Sequence, residues 1–179
     1  GFDALIVENF GDTPFYKSNV PAETIAAMSL IATAVRDSVS IPVGVNVLRN
    51  DARAALGLAA SCGLEMIRVN VLSGLTATDQ GLIEGDAAQL LRERSRLCPQ
   101  VQIFADVLVK HGRSLSGDSL ELAIEETYLR AGANAVIISG ETTGREVAEE
   151  DIETALRTCS KMGAPLFLGS GVRSENVGN

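Results

Sequence analysis

The chain has no tryptophan, one histidine and only seven other aromatic residues, five Phe and two Tyr, among 179. Base-stacking platforms for single strands need such rings, so that mode of nucleic-acid recognition is not expected. Basic charge is scarce as well: 15 Lys and Arg stand against 23 Asp and Glu, for a net charge of −8 and a pI near 4.7. A phosphate backbone needs a basic footprint, which excludes nucleic acid as the main partner but leaves room for a local pocket that holds one phosphate. The three cysteines, Cys62, Cys98 and Cys159, are odd in number and far apart, so they form neither a disulfide framework nor a zinc pattern. Each falls near an expected helix end, where a free thiol packs as a small hydrophobe, and a reducing, cytoplasmic compartment is expected. No uncharged apolar run reaches about 18 residues, so no integral membrane segment is expected. A basic n-region leading into an apolar stretch is also absent, and with it any sign of a signal peptide. The chain begins with Gly1 instead of Met, as a processed or partial chain would.

Apolar residues make up 46% of the chain and mean hydropathy is +0.18, enough for a single packed domain over residues 1–179. Six short aliphatic runs punctuate it: "ALIVEN" (4–9), "IPVGVNVL" (41–48), "MIRVNVL" (66–72), "VQIFADVLV" (101–109), "AVIISG" (135–140) and "PLFLGSGV" (165–172). Their starts recur at the spacing of βα units. Between them lie amphipathic stretches with helix punctuation. "PAETIAAMSLIATAVRDSV" has Pro21 near its start. "NDARAALGLAASCG" is capped by Asn50 or Asp51 and stops at Gly63; "DSLELAIEETYLRAG" is capped by Asp118 or Ser119; "AEEDIETALRTCSKMG" ends at Gly163. "RERSR" (92–96) reads as solvated helix surface and "EVAEEDIE" (146–153) as an acidic helix start. Strands apolar on both faces and alternating with helices imply a parallel sheet. A doubly wound sheet should carry G-x-G-x-x-G after its first strand, and this chain does not.

Polar parity favours the other parallel architecture. Asn46 alternates with Val45 and Val47, Arg68 and Asn70 with Ile67, Val69 and Val71, and Asp106 and Lys110 with Val107 and Val109; Glu8 closes the first run. Each strand is therefore aliphatic on one face and turns polar on the other only toward its C-terminal end. A TIM (β/α)8-type barrel has that lumen, packed below and chemically equipped at its mouth. Six strands do not close such a barrel. The expectation is a barrel lacking the first strand and the last βα unit, supplied by a longer chain or by a partner copy in a homo-oligomer, since bare hydrophobic edges are avoided.

The cluster at the strand mouths is the main chemical signal. Asp106 and Lys110 could form an acid–base pair, with Glu8 as a further carboxylate and His111 on a βα loop; equally, Lys110 could lie past the strand and reach water. Asn46, Arg68 and Asn70 would orient a substrate, with Asn50 and Asp79 on nearby loops. The bland alternative is a buried ion-pair layer, such as Arg68 with Glu8 or Asp106. "GSGVRSEN" (169–176), running into a cap at Ser174, reads as a phosphate-binding turn through Gly169, Ser170 and Gly171, with Ser139 and Gly140 of "SGETTG" beside it; an ordinary tight turn would look the same. "SGLTATDQGLIEG" (73–85) reads as a long loop, either a lid over substrate or a surface insertion. No metal constellation stands out, although Glu8, Asp106 and Asn46 offer oxygens that could hold Mg²⁺.

Taken together, "LIVENFGDTPF", "PVGVNVLRNDARAAL", "IRVNVLSG", "TDQGLIEG", "FADVLVKH", "VIISGETTG" and "LFLGSGVRSENV" resemble the BtpA/SgcQ family, in order and over nearly the whole chain, with "NVLRND" and "RVNV" the most specific stretches. The resemblance implies a TIM barrel of the phosphate-binding kind whose members extend beyond both ends of this chain. Its cyanobacterial members are linked to photosystem I biogenesis at the cytoplasmic side of the thylakoid membrane. Other members occur in organisms without photosynthesis, some in sugar-related gene settings. Two functions are therefore expected as alternatives. One is binding or acid–base conversion of a small phosphorylated metabolite, without an evident cofactor. The other is a non-enzymatic role in assembling photosystem I or another complex.

Overall fold

A computed structural model of the chain describes residues 1–117, 119–140 and 144–173. It is an α/β fold built on parallel strands, and it divides into two compact units. The first comprises Gly1–Asn70 and Asp86–Phe104; the second comprises Val71–Gly85 and the chain from Ala105 onward.

In the first unit the elements run β1 (Leu5–Glu8), a 3-10 turn (Phe10–Asp12), α1 (Ala22–Ser38), β2 (Val43–Asn46), α2 (Ala52–Cys62), β3 (Met66–Val69), then α3 (Ala87–Leu97) and the opening of a further strand, Gln102–Val107. Strands β1, β2 and β3 are adjacent and parallel, with Leu5 opposite Val43, Glu8 opposite Asn46, and Val45 opposite Ile67. Strand β2 is buried along its whole length. Its Gly44 is required by packing, because a Cβ there would lie 2.2 Å from Met66 Cγ and 2.8 Å from the Met66 carbonyl oxygen. Helix α2 packs on β2 and β3 through Ala55, Leu56, Leu58, Ala59 and Cys62, with α1 and α3 beside it. Each fully buried Leu or Ile here contributes about 1.5–3 kcal/mol.

Asp51 settles the open choice of cap. Its Oδ1 accepts the Ala54 amide at 2.9 Å, and its Oδ2 accepts the Val20 amide at 2.9 Å from the loop before α1. Gly63 ends α2 in the left-handed region, at φ 66°.

The second unit holds a small antiparallel sheet, the rest of the parallel strands and two helices. Where a loop was expected at 73–85, a hairpin forms: β4 (Leu75–Thr78) and β5 (Gly81–Glu84). Asp79 and Gln80 make its turn, closed by the Thr78 hydroxyl, which donates to the Gly81 carbonyl at 2.9 Å. Alternation explains the pairing, since Ile83 is buried against Val71 and Val109 while Leu82 faces out. The strand Gln102–Val107 is β6, and it stops at Val107 because Leu108 turns to φ 49°. The chain then adds β7 (Gly112–Ser114) to the outer side of β4. Helix α4 (Leu120–Glu125) continues into a π-helical turn (Glu126–Arg130), followed by β8 (Ala135–Ile138), α5 (Glu149–Met162) and β9 (Leu166–Leu168). Ser119 caps α4 by accepting the Leu122 amide, while Asp118 and Ser174 lie outside the described residues. Strands β8 and β9 are parallel, and β8 is wholly buried. Val107, Ile124, Val136, Ile138, Ala155 and Cys159 form the core of this unit.

Among the described residues no helix is long and apolar enough to cross a membrane. All three cysteines are free and buried, as small hydrophobes should be. Burial pushes the Cys98 and Cys159 thiols up from 9.0, at Cys98 against a smaller opposing pull from Arg94.

Asp51→Ala removes a helix cap and orphans the buried Val20 amide, so it should lower unfolding free energy by about 2–4 kcal/mol in urea titration, with Asp51→Asn much milder. An Asp51→Ala loss under about 0.5 kcal/mol would deny Asp51 both roles. The raised thiols favour the folded state fully below 9.0 and lose that preference as pH climbs through their folded values. Urea midpoints should therefore fall between about pH 8 and 10, less steeply in Cys98→Ala and Cys159→Ala, and identical slopes would clear the thiols of the effect.

Candidate functional site

The polar residues singled out by parity sit where parallel strands end. Glu8 and Asn46 are the last residues of β1 and β2 and lie opposite each other. Arg68 is the third residue of β3, and the buried Asn70 follows that strand directly. Within the first unit Glu8, Asn46 and Arg68 meet. Glu8 Oε1 accepts from Asn46 Nδ2 at 3.1 Å and from Arg68 Nη1 at 3.2 Å. The side chains of Arg68 and Glu8 are 13% and 26% exposed, enough shielding for the pair to matter and enough opening for a ligand to reach it. The second oxygen, Oε2, has no partner among the described residues.

The loops above these strand ends are laced together. Asn9, directly after β1, accepts the Leu48 amide at 2.7 Å through Oδ1, while its Nδ2 donates to the Leu48 carbonyl at 3.3 Å and to Asp12 Oδ2 at 3.1 Å. The Arg49 amide donates to the Tyr16 carbonyl and the Asn50 amide to that of Lys17. The stretch "NVLRND" is thus a scaffolded loop with a cis Leu48–Arg49 peptide and an almost fully buried Arg49. Asn50 is partly buried at its base.

In the second unit Asp106 is the penultimate residue of β6 and is buried. Lys110 and His111 come after the strand has ended, so parity does not set their direction. Lys110 is partly buried, and His111 is exposed at φ 57°. His111 lines an open cleft of about 840 Å³ walled by β4, β7, the end of β8 and the start of α5. Arg113, Ser139, Arg145, Glu146 and Asp151 are among its polar lining. Ser139, directly after β8, points a buried Oγ that finds no hydrogen-bond partner among the described residues. Helix α5 opens on Ala148, which caps no amide with its side chain, and its first turn also lines the cleft.

The turn at 169–171 is drawn into the protein's own bonding. The Gly169 amide donates to the Ile138 carbonyl at 2.8 Å, which extends the β8–β9 ladder, and Ser170 Oγ accepts the Gly144 amide at 2.9 Å. Gly140 and Gly171 pass so close to the backbone of Arg145 and Glu146 that a Cβ on either would come within 2.7 Å of it. The middle of "SGETTG", residues 141–143, lies outside the described residues. Asp79 sits exposed in the hairpin turn, its Oδ2 accepting from Gln80 Nε2 at 2.6 Å.

The structure therefore brings Glu8, Asn46 and Arg68 together in one unit, and His111, Ser139 and Gly140 around one cleft in the other. No group of three His, Cys, Asp or Glu residues that could hold a metal occurs among the described residues. Sequence reasoning missed Asn9, Arg49, Arg113, Arg145 and Asp151. The only available hint was the run "ENFGD", an amide and a carboxylate just past a strand end.

A family model described as the BtpA family matches residues 1–179. The Photosystem I biogenesis protein BtpA of Synechocystis sp. is 49% identical over 99% of this chain and 61% of its own length. An uncharacterized protein of Pyrococcus horikoshii, PH1209, is 44% identical over 99% of this chain and 66% of its own. The uncharacterized mitochondrial protein F13E9.13 of Caenorhabditis elegans is 30% identical, with 99% and 65% covered. The chain thus spans less than two thirds of the length of these relatives. Among solved structures, a FabK (M276A) mutant from Thermotoga maritima aligns at a TM-score of 0.48 and 17% identity, over 82% of this chain and 50% of that one.

Because Arg68 and Asn46 share one oxygen of a partly buried carboxylate, Arg68→Met should cost about 1–3 kcal/mol, and adding Glu8→Gln should recover part of it. Additivity of the two losses in denaturant titrations would show that the pair is energetically idle.

Proposed function

The chain belongs to the BtpA family, and from that premise we propose that it binds, and through acid–base chemistry converts, a small phosphorylated metabolite at the C-terminal ends of its parallel strands. We read its βα units as part of a (β/α)8 barrel, an architecture whose ligands sit at that end of the strands. The observation that carries the reading is Ser139 Oγ. A buried hydroxyl left without a partner costs about 1–3 kcal/mol; Ser139 Oγ has none among the described residues, and Ser139 lines a cleft large enough for a whole ligand. A phosphate oxygen would satisfy it. Gly140, packed on the backbone of Arg145 and Glu146, and the first turn of α5 line the same cleft, with Glu149, Glu150 and Asp151 in that turn offsetting the partial positive charge of the helix N-terminus.

In this reading Gly169, Ser170 and Gly171 shape the seat from behind, since two of their polar groups are already bonded within the protein. Glu8 keeps Oε2 available for a ligand proton or hydroxyl, with Asn46 and Arg68 holding the other oxygen. Asn50 and Asn70 are the further polar groups of the first unit; in the second, Asp106, Lys110 and His111 are the candidate proton carriers and Asp79 a further polar group.

A second reading is favoured by one observation. A relative 49% identical to this chain is named for photosystem I biogenesis. The laced loop after β1 presents Phe10 and Tyr16 at 60% and 59% exposure, and such rings suit a protein partner. An assembly role would act through that surface, with the cleft unused.

Thermal denaturation with inorganic phosphate, ribose 5-phosphate, glucose 6-phosphate and glycerol 3-phosphate separates the two. Binding raises the melting temperature by mass action, about 2.7 kcal/mol of stabilisation at a hundredfold excess over Kd. Ser139→Ala should weaken a bound probe by roughly 10-fold to 100-fold. Silence of the folded wild-type protein across the panel would overturn the metabolite reading and leave assembly as the better one.

A further inference from the structure

The cleft of the second unit displays a cation that the expected phosphate turn did not include. Arg113 is the middle residue of β7, exposed, and its guanidinium makes no hydrogen bond or ion pair among the described residues. Its backbone is held firmly. Strand β7 pairs with β4 in the register Thr76 to Ser114, Ala77 to Arg113 and Thr78 to Gly112. Gly112 fits only because it lacks a side chain, since a Cβ would lie 2.6 Å from Thr76 Cγ2 and 3.1 Å from the Val109 carbonyl oxygen. Ala77 and Arg113 both line the cleft, and the alanine is too short to cover the arginine. The turn that delivers β7 holds two non-glycine residues in the left-handed region, Leu108 at φ 49° and His111 at φ 57°, a strained arrangement of the kind that accompanies binding sites. Two carboxylates, Glu146 and Asp151, line the same cleft, yet neither forms an ion pair with Arg113. In a chain of net charge −8, a cation so placed has no counter-charge among the described residues.

We infer that Arg113 is a phosphate-binding residue of this cleft, contributing two guanidinium N–H groups to a phosphate monoester that also accepts the Ser139 hydroxyl. The inference rests on the reading of the cleft as a site for a phosphorylated metabolite. The planar fork of arginine matches two phosphate oxygens at once, and a lysine cannot reproduce that match. The small antiparallel sheet then has a purpose. It carries the charge to the ligand on a paired strand, whereas the phosphate turn first expected from sequence relies on backbone amides. A charge on an edge strand can also serve only to discourage strand pairing between molecules, and the experiment distinguishes that role.

The test is calorimetric titration of the full chain with glucose 6-phosphate and, as a control, glucose, using wild type, Arg113→Gln, Arg113→Lys and Ser139→Ala. The expected result is saturable binding of the phosphorylated probe alone, weakened about tenfold or more in Arg113→Gln and only partly restored in Arg113→Lys. The melting temperature of ligand-free Arg113→Gln should equal that of wild type, because the guanidinium bonds no other group among the described residues. Equal affinity in wild type and Arg113→Gln, with Ser139→Ala still weakened, overturns the role of Arg113 and leaves the cleft reading intact. Full affinity in Arg113→Lys reduces the residue to a point charge and overturns the two-oxygen contact. Absence of binding to wild type, with inorganic phosphate and ribose 5-phosphate equally silent, removes the cleft reading and Arg113 with it.

Discussion

A parallel strand delivers its chain to the end of the sheet opposite to where the next strand must begin. Every such pair here therefore needs a long return, made by α1 between β1 and β2 and by α2 between β2 and β3. The returning helices cover the strands, which is why β2 and β8 are buried along their lengths and consist of aliphatic residues, small residues and one terminal amide. Polar groups are then confined to the strand ends and the loops beyond them. The Glu8, Asn46 and Arg68 contact is a direct product of this confinement. Adjacent parallel strands in register place their last residues side by side, so three polar groups near the ends of three strands must either pair or be stripped of water alone.

The same constraint shapes the loops. Backbone groups leaving a parallel sheet lose their ladder partners, and in this chain side chains replace them. Asn9 takes both the amide and the carbonyl of Leu48, and Asp51 takes the amides of Val20 and Ala54. Two short polar residues thereby hold the loop "NVLRND" against the loop that follows β1.

Features with a local cause were legible in the sequence. The aliphatic runs located β1, β2, β3, β6, β8 and β9; Gly63 and Gly163 marked helix ends; and parity put Glu8, Asn46 and Arg68 on one face. Features that depend on distant partners were not. Asn9 is bonded 39 residues along the chain, and nothing around it announces Leu48. The hairpin at 75–84 has a single buried aliphatic, Ile83, on β5, too little alternation to separate it from a loop. Strand β7 is three residues long and exists only because β4 offers it an edge. The apolar "DVLV" conceals the end of β6, since the conformation of Leu108, and not its hydrophobicity, breaks the strand. In the same way, a Gly-Ser-Gly stretch discloses that backbone can converge there but not that Gly169 and Ser170 already serve the fold.

Each compact unit is assembled from two stretches of chain, and the hairpin at Val71–Gly85 is grouped with residues that come after Ala105. During synthesis this sets an order of events. Once Phe104 has emerged, the residues of this sequence assigned to the first unit are all available, while the hairpin still lacks the strand Gly112–Ser114 that pairs with β4. A hairpin of two strands is marginal in water on its own. With translation at about 5–20 residues per second, the roughly 30 residues between Glu84 and Ser114 leave it incomplete for roughly 2–6 seconds. During that interval the edge of β4 that β7 will take lies open to any passing strand.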